Sequence, residues 1–261
     1  MLGLGISLSS SGTVSSGGIA PSDISGLDAW FRVNKGIAGA SNTSDAGNMV
    51  DGEDIASWAD QSGNNRHASQ STDSKKPHWE TDAADFGGLH WPDDVADTHL
   101  NLASNVSINA NQDFTVMVRM KFANFDTAQG LVASGPQDVI KWTTNKRVAV
   151  ILGGSGATEF EEASDTLAAD TYYIHTLTRK DGSTGNLTYH IHGGTYSDKF
   201  WENDLSTRQD ADAFFMNNIG CAADGVLPVD GVIKDVIFWK GTALSDSERN
   251  DMYTYINGQA Y

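Results

Sequence analysis

Cysteine, proline and basic side chains are all scarce in this chain. A single cysteine, Cys221, rules out an intrachain disulfide, and its simplest role is that of a small core residue. Five prolines stand against 27 glycines in 261 residues, which suits a chain with many tight turns. Lysine and arginine total 17 against 34 acidic residues, for a net charge of −17. A surface of that sign is repelled by phosphate backbones and anionic lipid, so nucleic acid and membrane-surface partners are not expected. Cations, a basic partner or a saline milieu fit better, and plain solubility is the bland explanation. The opening MLGLGISLSSSG has no basic residue before Arg32, and its apolar run is short and broken by glycine. It reads as neither a signal peptide nor a membrane span. No P-loop, dinucleotide fingerprint, zinc-finger cysteine pattern or nucleophile elbow occurs.

What is present is clearest at the C-terminal end, from Val229 to Ile256. Val232 to Trp239 is β-branched, aromatic or apolar at almost every step, interrupted only by Lys234 and Asp235. That composition predicts a strand buried on both faces. Lys240-Gly241-Thr242 breaks the run, and Ser245 and Glu248 then stand at capping-box spacing. Met252, Tyr255 and Ile256 recur at helical spacing, and Gly258 is the expected left-handed stop, which predicts one short helix over 246–257.

This end resembles the close of a laminin-G-like (concanavalin A-like lectin/glucanase) jelly-roll domain, on Gly231, Ile233, Val236 and Phe238, then Ala243-Leu244-Ser245-Asp246 with Glu248 and Arg249. A second match lies at Leu27-Asp28-Ala29-Trp30-Phe31 and at Ile55 to Asn65 (IASWADQSGNN) with Ala68. The two ends bracket about 24–257. The resemblance implies an all-β fold: a two-sheet antiparallel β-sandwich of the concanavalin A-like jelly-roll kind, with one short C-terminal helix. It identifies no ligand, because such sandwiches host lectins, hydrolases and scaffolds alike.

The expected organisation is a Gly/Ser-rich arm over 1–22 and one sandwich over 23–261. The arm has no period that could bury a face, so only its own domain or a neighbouring subunit could order it. A neighbour is the favoured partner, through Met1, Leu2, Leu4, Ile6 and Leu8. The start of the arm also resembles some tailed-phage virion proteins. Further strands are expected at Leu27–Val33, Ile55–Trp58, Phe114–Phe122, Gly130–Ala133, Val139–Trp142, Arg147–Leu152 and Phe214–Gly220. Residues 69–97 are expected to be long loops with brief edge strands near Phe86 and Leu89. Tyr172–Arg179 and Leu187–Gly193 flank a turn signal, Lys180 to Gly185, and predict a hairpin.

Candidate chemistry follows from residue type and placement. Glycan binding needs an aromatic platform and a few fixed polar groups. Trp30, Trp58 and Trp239 fall in strand patterns and are assigned to the core, which leaves Trp79, Trp91, Trp142 and Trp201 as glycan candidates. Asp60, Ser62 and Asn64 resemble a one-three-five oxygen loop for Ca2+, although the same residues can simply close an Asx turn. Asp93, Asp94 and Asp97 form a second oxygen-rich cluster. His190 and His192 share a strand face. With the hairpin centred on Gly182-Ser183, His175 falls opposite His190, a three-imidazole arrangement suited to zinc or nickel. Glycoside hydrolysis needs paired carboxylates. The nearest string, Glu159-Phe160-Glu161-Glu162, lacks the spacing of laminarinase-like relatives.

The leading expectation is therefore a non-enzymatic virion structural or decoration protein of a tailed phage. It would be anchored to other virion proteins by its arm, in a multi-subunit assembly, and would touch cell-surface glycans. The alternatives are a free-standing carbohydrate-binding lectin module and a divergent glycoside hydrolase.

Overall fold

A computed structural model of the chain describes residues 19–39, 49–81, 87–92, 97–135, 138–142, 148–151, 158–160, 167–180, 186–204, 213–221 and 227–258. In chain order the strands are β1 (Leu27–Arg32), β2 (Ile37–Gly39), β3 (Ile55–Trp58), β4 (Ala68–Ser69), β5 (His78–Glu80) and β6 (Gly88–Trp91). There follow β7 (Leu100–Ile108), β8 (Phe114–Phe122), β9 (Gln129–Gly135), β10 (Asp138–Trp142), β11 (Val148–Ile151) and β12 (Thr158–Phe160). The last are β13 (Tyr173–Lys180), β14 (Asn186–Gly193), β15 (Tyr196–Asp204), β16 (Phe214–Ile219) and β17 (Gly231–Lys240), then helix α1 (Asp246–Asn257).

The strands form two antiparallel sheets. One runs β15-β14-β13-β8-β17-β6-β5, and the other β12-β11-β10-β9-β16-β7-β4-β3-β2. Strand β17 lies at the heart of the first. Along one side it pairs with β8 from Gly231 to Lys240. Its other side is shared, with β6 taking Gly231 to Ile233 and β1 taking Asp235 to Trp239. The first and last strands of the domain are thus neighbours.

The side-chain alternation of β17 feeds two cores. Ile233, Val236 and Phe238 point between the sheets, where they join Phe31, Trp58, Trp91, Phe114, Phe122 and Trp142. Ile237 and Trp239 point outward and are covered by Met252, Tyr253 and Ile256 of α1, beside Trp30 and Met117. A strand packed on both faces has no solvent-facing positions to make polar, which is why its sequence is nearly continuous in apolar residues. In β8 the inward Phe114, Val116, Val118 and Met120 alternate with Met117, which faces α1.

Helix α1 begins as expected. Ser245 Oγ accepts from Glu248 N while Glu248 Oε2 accepts from Ser245 N at 2.8 Å. Its end differs: Gly258 sits at φ −84°, ψ −2°, a right-handed conformation, and its N–H continues the helix by donating to Thr254 O. Strand β7 is the main element without a clean sequence pattern. Leu100, Val106 and Ile108 are buried, but the pairing register to β16 shifts between Met216 and Asn218. That irregularity breaks the alternation from which a strand is recognised.

Candidate functional site

At the β5 edge of the first sheet a turn crosses from the second. Glu53 N donates to Val50 O at 2.9 Å, closing a turn over Val50–Glu53. The following backbone pairs with β5, because Gly52 N donates to Trp79 O and Trp79 N donates to Glu53 O, both at 2.8 Å. Alternation along β5 places His78 and Glu80 on one face and turns Trp79 inward. Strand β6 sets His90 directly across from His78, and Asp54 bridges to His78 on the far side. Between turn and strands lies an open cleft of about 450 Å³, lined by Asp51 and Gly52 of the turn, His78, Trp79 and Glu80 of β5, His90 of β6, and Pro92.

The polar groups here are arranged in pairs. His78 Nδ1 lies 2.7 Å from Asp54 Oδ1, without hydrogen-bond alignment. His90 Nδ1 lies 3.5 Å from Glu80 Oε2, and the other oxygen of Glu80 accepts from Lys121 Nζ of β8 at 2.9 Å. Lys121 also stands 5.4 Å over the ring of Tyr172, which Lys234 Nζ approaches at 4.2 Å and the Arg119 guanidinium at 5.5 Å. Asp51 is pinned by Thr81 N, which donates to its Oδ1 at 2.8 Å. Val50, 64% exposed, supplies an apolar rim at the turn. The carboxylates of Asp51 and Glu80 and the imidazoles of His78 and His90 that line the cleft can accept from and donate to hydroxyl groups at several angles.

Sequence reasoning reached one residue of this cleft, Trp79. The other groups come from separate segments, and the only local signal was the recurrence of His-Trp at 78–79 and 90–91, with Glu80 next to the first. Trp79 is 2% exposed, and Trp91 and Trp142 are fully buried. These three rings are core residues without an open face for stacking, although an edge of Trp79 forms part of the cleft wall. Trp201 lies on β15 opposite Tyr189, and its side chain is outside the described residues. Trp30, Trp58 and Trp239 are buried as expected.

The Asp60 loop is a hydrogen-bonded turn whose acceptor oxygens are already taken. Asp60 Oδ1 accepts from Trp30 N and Ser62 N, both at 2.9 Å, and Oδ2 accepts from Ser62 Oγ at 2.8 Å and Arg66 N at 3.0 Å. Asn64 Nδ2 donates to the carbonyls of Leu27 and Asp28, both at 3.0 Å. Through these bonds Asp60, Ser62 and Asn64 tie the first strand to the loop. Asp97 pairs with Lys75 at 3.3 Å, whereas Asp93 and Asp94 lie outside the described residues.

The histidine triad is corrected by one residue of register. His175 pairs with Ile191, while His190 pairs with Thr176 and His192 with Ile174. His175 therefore points between the sheets, and His190 and His192 point to the other face, where His192 stacks on Tyr253 of α1 at 4.2 Å. The reason is hydrophobic: Leu177, Leu187, Tyr189 and Ile191 all join the inter-sheet core, and this register alone turns them inward together. Among the described residues, no group of three or more His, Cys, Asp or Glu is placed to hold a metal ion. Glu159 lies on the edge strand β12 across from Ala149, and Glu161 lies outside the described residues. Met1, Leu2, Leu4, Ile6 and Leu8 lie outside them as well.

By sequence, the chain matches no protein-family model and no curated protein. By structure it is similar to an arabinofuranosidase solved with arabinofuranosyl-α-1,2-xylobiose, with a TM-score of 0.58 and 10% identity over 88% of this chain and 58% of that one. It is also similar to domain 4 of AbnA, a GH43 extracellular arabinanase from Geobacillus stearothermophilus, solved with arabinotriose (TM-score 0.53, 14% identity, 87% of this chain and 97% of that one). A Trypanosoma rangeli sialidase in complex with sialic acid gives a TM-score of 0.51 at 12% identity over 90% of this chain. The chain spans about a third of that sialidase's length, 34%. At these identities the likeness establishes the fold, the β-sandwich found in carbohydrate-active proteins. The virion reading is corrected on this finding: these similar structures are a sialidase, an arabinofuranosidase and an arabinanase domain. The expectation of a non-enzymatic protein is corrected on the same ground, since each of these structures is an enzyme or a domain of one.

Proposed function

We propose that this chain is a carbohydrate-recognising β-sandwich of the kind found in glycoside-active enzymes, and that the cleft beside β5 and β6 receives the sugar. The observation that carries the reading is the cleft itself. Its volume of about 450 Å³ lies in the range of small-ligand sites, about 300–1,000 Å³. Its wall joins the polar atoms of Glu80, His78 and His90 to the apolar surfaces of Pro92 and Trp79. The arabinanase domain, which this chain nearly spans, was solved with arabinotriose and supports the choice of an oligosaccharide. The finer laminin-G-like assignment belongs to this proposal and rests on the motif residues Trp58, Asp60, Ser62 and Gly63 and on Ala243 to Ser245.

Calorimetric titration with arabinotriose and with xylobiose tests the reading. Saturable binding is expected, weakened tenfold or more in Glu80→Gln and His90→Ala with the melting temperature little changed. A flat titration with every oligosaccharide in a broad neutral panel would sink it.

A second reading, glycoside hydrolysis at the same cleft, is favoured by one feature. Glu80 lines the cleft and Asp54 contacts its His78, and paired carboxylates are what the reaction requires. Release of new reducing ends that is abolished in Glu80→Gln and Asp54→Asn, with binding retained, would establish it over simple recognition.

A further inference from the structure

The charges around the cleft speak to which sugars it admits. Among the described residues, the basic side chains at the cleft each face a carboxylate of the same neighbourhood. Lys121 is held by Glu80 at 2.9 Å and lies over Tyr172, His90 faces Glu80, and His78 faces Asp54. Lys121 is also only 13% exposed in its side chain, so it does not reach into the open volume as a free ammonium would. Asp51 stands on the exposed side of the turn with one oxygen fixed by Thr81 N. The chain as a whole carries a net charge of −17.

An acidic sugar entering such a cleft gains no cation without first breaking an internal pair. Its own carboxylate or sulfate would also lie close to those of Asp51 and Glu80, and like charges repel. A neutral sugar pays neither penalty. Its hydroxyls can donate to the same carboxylates, and two neighbouring hydroxyls match the two oxygens of one carboxylate. The apolar surface of Pro92 then meets the C–H surface of the ring.

We infer that the cleft selects uncharged sugars with free neighbouring hydroxyls and rejects acidic ones, with Asp51 and Glu80 as the residues that discriminate. This rests on the cleft being a sugar site, and it names the class of sugar.

The test compares arabinotriose and xylobiose with sialic acid and digalacturonic acid on the full chain, at low and at high salt. Neutral probes are expected to bind with little dependence on salt. Acidic probes should bind at least tenfold more weakly at low salt, with the gap narrowing as salt screens the repulsion. Asp51→Asn should narrow the gap at low salt by improving the acidic probes. The salt comparison on the unaltered chain needs no variant at all. Acidic sugars binding as tightly as neutral ones would overturn the selectivity and leave the sugar site standing. No binding by either class would overturn the site itself.

Discussion

The Tyr189 hydroxyl lies 2.5 Å from Nδ1 of His175, in a pocket between the sheets otherwise walled by Val116, Val118, Leu131, Val132, Ile140 and Leu177. The rings are nearly parallel, at 15°, and Nε2 of His175 has no hydrogen-bond partner. Surrounded by hydrocarbon, the imidazole is held neutral. Burial pushes its pKa from the usual 6.5 down to about 3.

Acid should therefore destabilise the domain through this residue. Between pH 3 and 6.5 the unfolded chain binds a proton at His175 that the folded chain refuses, so stability rises with pH across that window and levels above it. The slope from one such group is at most about 1.4 kcal/mol per pH unit. Urea midpoints at pH 4, 5 and 7 measure it. His175→Phe should flatten the acid limb across that range, at a cost near neutrality for losing the hydrogen bond to the Tyr189 hydroxyl. An unchanged acid limb in that variant would show that other groups carry it.

The helix cap offers a second, local test. Hydrogen bonds from Ser245 hold the Glu248 carboxyl below its usual range. Its stabilising contribution is present above the unfolded-state pKa and is lost as pH falls through the folded one. Ser245→Ala should cost about 1 kcal/mol at neutral pH, most of it as fraying of α1. Hydrogen exchange of the amides of Glu248 and Arg249 would detect that directly.

Gly220 is a position where no side chain fits. Its φ is +89°, and a Cβ there would fall 2.1 Å from Nε1 of the buried Trp91. Gly220→Ala combines backbone strain with displacement of a fully buried ring. A loss of several kcal/mol is expected, on the order of the largest single-residue effects. A melting temperature within a few degrees of the parent would contradict the packing described here.

Asp60 should behave as a structural acceptor. Asp60→Ala strips partners from the amides of Trp30, Ser62 and Arg66 at once, and a loss of at least about 2 kcal/mol is expected. Adding Ca2+ or a chelator should leave the melting temperature of the parent unchanged. A calcium-dependent rise that vanishes in Asp60→Ala would restore the loop as a metal site.

The parts of this molecule legible in its sequence are those decided by near neighbours. The capping box is a contact over three residues, so Ser245 and Glu248 announce α1 by themselves. The Asp60 turn is equally local, and the nearly unbroken apolar run of β17 advertises burial on two faces whatever its partners are. Register is different in kind. Whether His175 meets His190 depends on which alignment turns Leu177, Tyr189 and Ile191 inward together, and half a residue in the centre of the turn sends the imidazoles to opposite faces.

The cleft lies further still from local reach. Asp51 and Asp54, His78 and Glu80, His90, and Lys121 come from four separate stretches. They meet only because β6 pairs with both β5 and β17, and because the turn at Val50–Glu53 folds back on Trp79. Composition and short-range pattern settled the all-β class, the two-faced strand and the helix that covers it, since each reports on the hydrophobic burial of its own segment. Strand pairing between distant segments decided which polar groups share a cleft, because neither their separation along the chain nor their identity encodes that meeting.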